Sequence, residues 1–191
     1  ESEKNTIKDV VEADDDNLAR IKHLLMRDQS EKDFFQLFCS TSRDYSNAEH
    51  INKGDINQIS YLAEIKDINP DLIITYGCSI IKAPLIEAFK GKIINIHLGL
   101  SPYYRGSGTN FWPFVNGEPE YAGASFMYMD EGVDTGEIIH QVQAAIHYGD
   151  NIHLIGNRLI RDMAMTCIEL ISKFDELEPV TIKPFAVTGK Y

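Results

Sequence analysis

The stretch Lys92-Ile93-Ile94-Asn95-Ile96-His97 decides the fold that this sequence predicts. Its apolar residues indicate a buried strand, and an earlier apolar run, Asp71-Leu72-Ile73-Ile74-Thr75-Tyr76-Gly77, ends at a glycine. Residues 84–89, between the two runs, have the pattern of a helix. Strands that alternate with helices form parallel sheets, so we expect an α/β fold with a mostly parallel sheet and flanking helices.

Further elements are predicted on both sides of these strands. Residues 18–25 show one apolar helical face, and a second helix over 57–67 ends at Asn69-Pro70. Two extended runs around the turn 130–136 predict a C-terminal hairpin. Apolar residues at three- or four-residue steps from Ile152 to Phe174 then predict a long helix capped by Asp150. Its apolar stripe packs in the core or forms the contact of a homodimer.

Two polar side chains stand at the end of the second strand. Asn95 and His97 are alternate residues, so they point to the same face. An amide donates hydrogen bonds, and histidine exchanges protons near neutral pH. Binding sites of parallel sheets lie beyond the carboxyl ends of the strands, where Gly77 and His97 fall. Asp134 could complete an active site there; otherwise the pair caps a loop and Asp134 is an ordinary turn residue.

Three motifs in this order resemble the folate-dependent formyltransferase family, which includes glycinamide ribonucleotide, methionyl-tRNA and amino-sugar formyltransferases. The motifs are Asn95-Ile96-His97, Leu100-Ser101-Pro102-Tyr103-Tyr104-Arg105-Gly106 and Met129-Asp130-Glu131-Gly132-Val133-Asp134-Thr135-Gly136-Glu137. Three ordered motifs are more specific than a single glycine pattern. The resemblance covers roughly residues 71–174 and implies a Rossmann-like catalytic domain with 10-formyltetrahydrofolate as co-substrate.

The resemblance also implies roles for individual residues. Asn95, His97 and Asp134 match the catalytic trio of the family. The formyl donor would bind between two loops. These loops contain Tyr76, Gly77, Cys78, Ser79 and Ile80 on one side and Met129, Asp130, Glu131, Gly132 and Val133 on the other.

The residue types suit formyl transfer to an amine. When the amine attacks the formyl carbon, an oxyanion develops, and Asn95 and a protonated His97 can donate hydrogen bonds to it. His97 can also carry a proton from the amine to the leaving folate nitrogen. Asp134 can orient His97, raise its pKa, or accept the amine proton through water. We expect no metal, because the amine itself is the nucleophile.

The acceptor site is predicted in the loop that follows His97. Tyr103, Tyr104 and Arg105 either bind the acceptor by stacking and charge or pack the loop. Gly106 and Asn110 either bind an anion at the N-terminus of the next helix or form a tight turn with its cap. Because this loop differs from the purine and tRNA members, we expect a small amine acceptor, phosphorylated or nucleotide-linked, such as an amino sugar.

Two other functions remain open. Water in place of the amine would make the protein a 10-formyltetrahydrofolate hydrolase that uses the same three residues. Alternatively, the chain is a non-catalytic module that binds folate or a nucleotide sugar. Family members begin with an apolar strand and a glycine-containing turn, and nothing before residue 71 has this pattern. We therefore expect that one or two N-terminal strands are missing or replaced.

Composition and charge limit the class of protein. A net charge of -11 argues against general nucleic-acid binding. The three cysteines form no C-x-x-C motif, which favours a reducing cytoplasm, and no run approaches the roughly 18 apolar residues of a membrane span. Residues 1–16 hold seven acidic residues and two lysines and predict a flexible segment. The catalytic domain would cover 17–178, with an extended tail over 179–191.

Overall fold

The computed structural model describes residues 15–177, and for 15–17 the main chain alone. The predicted flexible segment and C-terminal tail lie outside these residues, except that Asp15 begins the first helix. The chain forms two compact units. One unit ends at Ser46 and includes His147–Asn157, and the other includes Asn47–Ile146 and continues from Arg158. The predicted domain boundaries, 17 and 178, stay a prediction.

Helix α1, Asp15–Thr41, belongs to the first unit. It continues beyond the predicted residues 18–25 without a break through the apolar cluster at 34–38. Within this unit the Nδ2 of Asn157 donates to the Oγ of Ser30 at 3.0 Å. The rings of His23 and His153 lie 4.9 Å apart. No helix within residues 15–177 has the length and apolar character needed to cross a membrane.

The predicted long helix is present, but its cap differs from the prediction. Asn151 precedes the helix Ile152–Ser172, and its Oδ1 accepts from the N–H of Leu154 at 2.9 Å. This is the geometry of an N-cap. The carboxylate of Asp150 accepts instead from the N–H of His147 at 2.7 Å, so Asp150 closes the preceding turn.

The second unit contains a four-stranded sheet in the order β1-β2-β3-β4. The strands are β1 (Ile73–Tyr76), β2 (Ile93–His97), β3 (Gly123–Tyr128) and β4 (Ile138–Gln143). The helices of this unit are α2 (Ile59–Ile68), α3 (Ala83–Ala88) and α4 (Trp112–Val115), and the long helix Ile152–Ser172 is α5. Helix α3 joins β1 to β2, as the sequence predicts.

The α/β class is confirmed, together with the hairpin β3–β4, but the sheet is mixed rather than mostly parallel. Strands β1 and β2 are parallel, whereas β3 is antiparallel to both β2 and β4. The physical reason is that a buried apolar strand has the same sequence pattern in either direction. The direction of β3 is decided by the connection from β2, which contains α4 and brings the chain back beside β2.

A core cluster beside β1 and β2 anchors the loops at their carboxyl ends. Leu85, Phe89 and Ile93 are buried there. Ile81 and Met129 pack against them. Residues 76–80 lead into Ile81, and residues 129–133 begin at Met129. Both segments predicted to bind the donor are therefore attached to a packed core, which limits their movement.

Helix α2 contributes Leu62 and Ile65 to the same cluster. It ends at Asn69, as predicted. Asn69 adopts a left-handed conformation with φ of 49°, and its N–H donates to the carbonyls of Ile65 and Lys66. Asparagine tolerates this conformation better than most residues, and Pro70 cannot continue a helix.

Candidate active site

A cavity of about 670 Å³ opens at the carboxyl ends of β1 and β2. Small-molecule sites typically measure about 300–1,000 Å³. Four segments line this cavity, namely residues 76–81, 95–98, 106–110 and 127–136. All ten residues predicted to bind the formyl donor are among them. The cavity therefore lies at the edge of the sheet that the sequence predicts.

The carboxylate of Asp134 joins the polar pair of β2. The Nδ2 of Asn95 donates to the Oδ1 of Asp134 at 3.0 Å, and the Nδ1 of His97 lies 3.2 Å from its Oδ2. The N–H of Gly106 donates to the same Oδ2 at 2.9 Å. Asn95 and His97 thus point to one face. The side chains of His97 and Asp134 are only 7% and 11% exposed.

The main chain of Asp134 is held by a polar network. Asp134 has φ of 53°, in the left-handed region. Its carbonyl accepts from the Oγ of Ser101 at 3.3 Å. The N–H of Ser101 donates to the Oγ of Ser125, and the Nε2 of Gln141 donates to the carbonyl of Ser101 at 2.8 Å. Sequence patterns do not reveal Ser125 or Gln141, because their partners lie far away along the chain.

The orientation of the Asn95 amide is set by Thr75, which is paired with Asn95 across the two parallel strands. The Oγ1 of Thr75 donates to the Oδ1 of Asn95 at 3.1 Å. The amide nitrogen therefore faces Asp134, whose carboxylate can only accept. An amide NH₂ has two hydrogens, and Asp134 accepts one of them, so the second can serve an oxygen in the cavity. Thr75 is a site residue that the sequence analysis missed.

Both ring nitrogens of His97 face hydrogen-bond acceptors. The Nε2 lies 3.1 Å from the carbonyl oxygen of Tyr104, opposite the contact of Nδ1 with Asp134. Burial lowers the pKa of His97 below its ordinary value. The charge of Asp134 and the carbonyl of Tyr104 oppose this shift only in part. The ring is therefore neutral at pH 7, and its single N–H can donate to only one of the two acceptors, Asp134 or the Tyr104 carbonyl.

The aromatic residues of the loop after β2 pack rather than line the cavity. Tyr104 is 1% exposed, and its hydroxyl donates to the carboxylate of Glu118. The ring of Tyr103 packs on Tyr121, with centroids 4.6 Å apart. Neither tyrosine lines the cavity, and neither does Arg105. Tyr104 is thus a packing residue that reaches His97 through its main chain, and acceptor binding by Tyr103 and Arg105 stays a prediction.

Gly106 and Asn110 do line the cavity, and their role in binding the acceptor stays a prediction. The N–H of Gly106 is already bound to Asp134. Helix α4 has only four residues, so its dipole is too short to favour an anion strongly. Gly106 has φ of 84°, as in a tight turn, but none of the described side chains caps helix α4.

Cys78 lines the cavity on the donor side. Although Cys78 is an exposed residue, neighbouring atoms shield its thiol partly from water, which raises the pKa of the thiol; the side chain is a neutral thiol at pH 7 and a poor nucleophile. Residues 15–177 contain no group of three or more His, Cys, Asp or Glu side chains that could hold a metal ion. The expectation of a metal-free reaction stays a prediction.

Comparison with known proteins gives consistent matches. The family model described as formyl transferase matches residues 28–169. Methionyl-tRNA formyltransferase of Desulforamulus reducens is 35% identical over 114 residues, which cover 59% of this chain and 35% of the relative. Methionyl-tRNA formyltransferase of Thermodesulfovibrio yellowstonii is 32% identical over 133 residues, which cover 69% of this chain and 42% of the relative. The chain thus spans less than half the length of these curated relatives.

A solved structure extends the likeness to the fold. The formyltransferase PseJ from Anoxybacillus kamchatkensis was solved in complex with UDP-4,6-dideoxy-4-formamido-L-AltNAc and tetrahydrofolate. It is 27% identical to this chain with a TM-score of 0.56, and the match covers 84% of this chain and 78% of PseJ. The matched residues 28–169 include the lining of the cavity and the three residues Asn95, His97 and Asp134. This chain belongs to the formyl transferase family.

Proposed function

We propose that this protein transfers a formyl group from 10-formyltetrahydrofolate to a primary amine. The observation that carries the proposal is the meeting of Asn95, His97 and Asp134 at one cavity. The bound donor would supply the formyl group. Residues 76–80 and 129–133 would hold it, and the volume of the cavity and its apolar lining residues, among them Ile80 and Val133, fit a folate ring.

Asn95 is proposed to stabilise the oxyanion. Its Nδ2 has one hydrogen that Asp134 does not accept, and Asn95 lines the cavity. Thr75 and Asp134 hold the amide at both ends, so its position is set before a substrate binds. A donor that is fixed in advance near a developing negative charge stabilises the transition state more than water does.

His97 is proposed to take up the proton of the attacking amine. The bond from Nδ1 to the Asp134 carboxylate is charge-assisted, so the tautomer with hydrogen on Nδ1 is favoured. Nε2 is then the basic nitrogen. The charged ring would hold this proton in a hydrogen bond to the Tyr104 carbonyl, 3.1 Å away. It would then give the proton to the leaving folate nitrogen as the bond between that nitrogen and the formyl carbon breaks. For the transfer, Nε2 must turn from this carbonyl toward the amine.

We propose a nucleotide-linked amino sugar as the acceptor. The similarity to PseJ supports this choice, because that formyltransferase was solved with a UDP-linked formamido sugar and tetrahydrofolate. The net charge of -11 disfavours tRNA as the acceptor. The charged residues that line the cavity are Asp130, Glu131 and Asp134, all acidic. The phosphates of the acceptor would therefore lie outside this cavity.

The proposal is tested by incubating the protein with 10-formyltetrahydrofolate and a panel of amines while tetrahydrofolate release is followed. We expect release that depends on the amine and is lost in His97→Ala. Formate release without any amine would identify a hydrolase instead. Donor binding by calorimetry that survives His97→Ala, with no turnover in either protein, would identify a non-catalytic module.

The pH dependence of kcat tests the protonation state of His97. If the neutral ring is the base, kcat is constant above the pKa of His97 and falls as the pH drops below it. Because burial lowers this pKa, the acid limb should lie below about pH 6.5, the ordinary value for histidine. The measurement is kcat with saturating substrates, with circular dichroism at each pH as the control for folding. A kcat that falls as the pH rises through this range would mean that the charged ring is required.

A further inference from the structure

We propose that Asn57 is a positioning residue for donor binding, although it lies outside every motif of the sequence. It acts on the donor loop, which we define as residues 77–81. This inference rests on the proposed function, because it assigns the donor to the wall that this loop forms. Asn57 is the last residue of the 3-10 helix Asp55–Asn57 and does not line the cavity. Any effect on a ligand must therefore pass through the loop.

The side-chain amide of Asn57 binds the main chain at the end of the donor loop. Its Nδ2 donates to the carbonyl of Ile80 at 2.9 Å. Its Oδ1 accepts from the N–H of Lys82 at 2.8 Å. One amide thus pairs with the main chain on both sides of Ile81, as a neighbouring strand would. Main-chain groups bound in this way lose freedom of rotation without contacting the ligand.

A further hydrogen bond joins the turn to the donor loop at Ser79. The N–H of Gly54 donates to the Oγ of Ser79 at 3.1 Å, and Gly54 has φ of 89°, a conformation that favours glycine. The Nδ2 of Asn57 also lies 3.2 Å from the carbonyl of Gly54. The turn at residues 54–57 is therefore closed on itself and bound to the donor loop at two places.

The turn can position the loop because it is itself anchored. Ile56 packs against the cluster of Leu85, Phe89 and Ile93, and so does Ile81 at the end of the donor loop. The Asn57 amide thus connects two segments whose apolar residues are fixed in one core. Cys78 and Ile80, which precede Ile81 in the donor loop, are exposed. The shape of this exposed part depends on the hydrogen bonds to residues 54–57.

The donor loop contributes none of the residues around Asp134. Asn95 and His97 come from β2, and Asp134 comes from the turn before β4. Loss of the Asn57 amide should therefore weaken donor binding and leave the chemical step intact. We expect a higher KM for 10-formyltetrahydrofolate, with kcat at saturating donor and the KM of the amine unchanged.

The test compares Asn57→Ala with Asn52→Ala. Asn52 belongs to the same segment, and its amide donates to Asp55 at 3.3 Å rather than to the donor loop. For Asn57→Ala we expect about a tenfold rise in the donor KM and in the Kd of tetrahydrofolate by calorimetry, because the hydrogen bonds to Ile80 and Lys82 are lost. The Asn52→Ala protein should match the wild type. Near-ultraviolet circular dichroism verifies that both proteins are folded.

Asn57→Asp keeps the test valid if the alanine variant does not fold. The new carboxylate still accepts from Lys82 but cannot donate to Ile80, so the donor KM should again rise. An unchanged Kd and donor KM in a folded variant would overturn the inference, as would a lower kcat without a change in KM. A wild-type protein that does not bind tetrahydrofolate would overturn the proposed function itself. A wild type that binds it while the variants bind equally well contradicts only the role of Asn57.

Discussion

Substitution of Asp134 by asparagine is expected to lower kcat by about 10²–10⁴-fold, the range typical of a disrupted acid–base group. One carboxylate oxygen accepts from Asn95, and the other lies beside His97 Nδ1 and Gly106 N–H. The asparagine side chain has only one oxygen. Its NH₂ group would therefore face either the NH₂ group of Asn95 or the N–H groups of His97 and Gly106. The charge that favours hydrogen on Nδ1 of His97 would also be lost.

Asparagine is the informative replacement because the backbone at position 134 is left-handed, a conformation that Asp and Asn both tolerate. The turn should therefore persist while the chemistry changes. Glu137→Gln is the matched control, since Glu137 is exposed, lies three residues along the chain and does not line the cavity. The measurement is kcat with saturating donor and amine. A kcat within threefold of the wild type would mean that Asp134 only shapes the turn.

Replacement of Asn95 by alanine is expected to lower kcat by about 10²–10³-fold, as for the removal of one oxyanion donor. The substitution removes the side-chain amide that donates to Asp134 and faces the cavity. The loss should appear in kcat rather than in the KM of the donor, because the hydrogen bond strengthens as charge develops on the formyl oxygen.

Thr75→Val provides the graded comparison for Asn95→Ala. Valine keeps the shape of the side chain but cannot donate to the Oδ1 of Asn95, so the amide stays in place without its orienting bond. We expect a decrease in kcat of about tenfold or less, the size of one neutral hydrogen bond. If Asn95→Ala raised the donor KM and left kcat unchanged, Asn95 would be a binding residue and the assigned oxyanion role would be wrong.

The sequence predicts correctly that Asn95, His97 and Asp134 lie close together. The alternation of Asn95 and His97 in an apolar strand determines that both point to one face, which the structure shows. The place of Asp134 beside this pair is predicted by the ordered motifs that resemble the family, since the turn alone would leave it an ordinary turn residue. These inferences succeed because they rest on local geometry or on ordered motifs, which do not require knowledge of long-range pairing.

The remaining parts of the site depend on contacts between distant residues. The direction of β3 does not follow from its apolar residues, so the mixed sheet was not predicted. Tyr104 has the residue type of a ligand contact, yet its burial beside Glu118 makes it a packing residue. Asn57 and Gln141 have no local pattern that separates them from surface polar residues. Their partners lie 25 and 40 residues away along the chain.

Two hydrogen bonds attach the loop after β2 to the site. They determine which loop residues can be replaced by those of a relative without moving the site. The N–H of Gly106 binds Asp134, and the Oγ1 of Thr109 donates to the carbonyl of Leu98. Ser107 lies between these points and is exposed. A substitution at Ser107 alone should alter which molecules enter the cavity, while His97 and Asp134 keep their positions. Replacement of Gly106, whose φ of 84° favours glycine, or of Thr109, whose hydroxyl makes the second attachment, should change selectivity and rate together. Loop swaps in this family are therefore best bounded at these two residues.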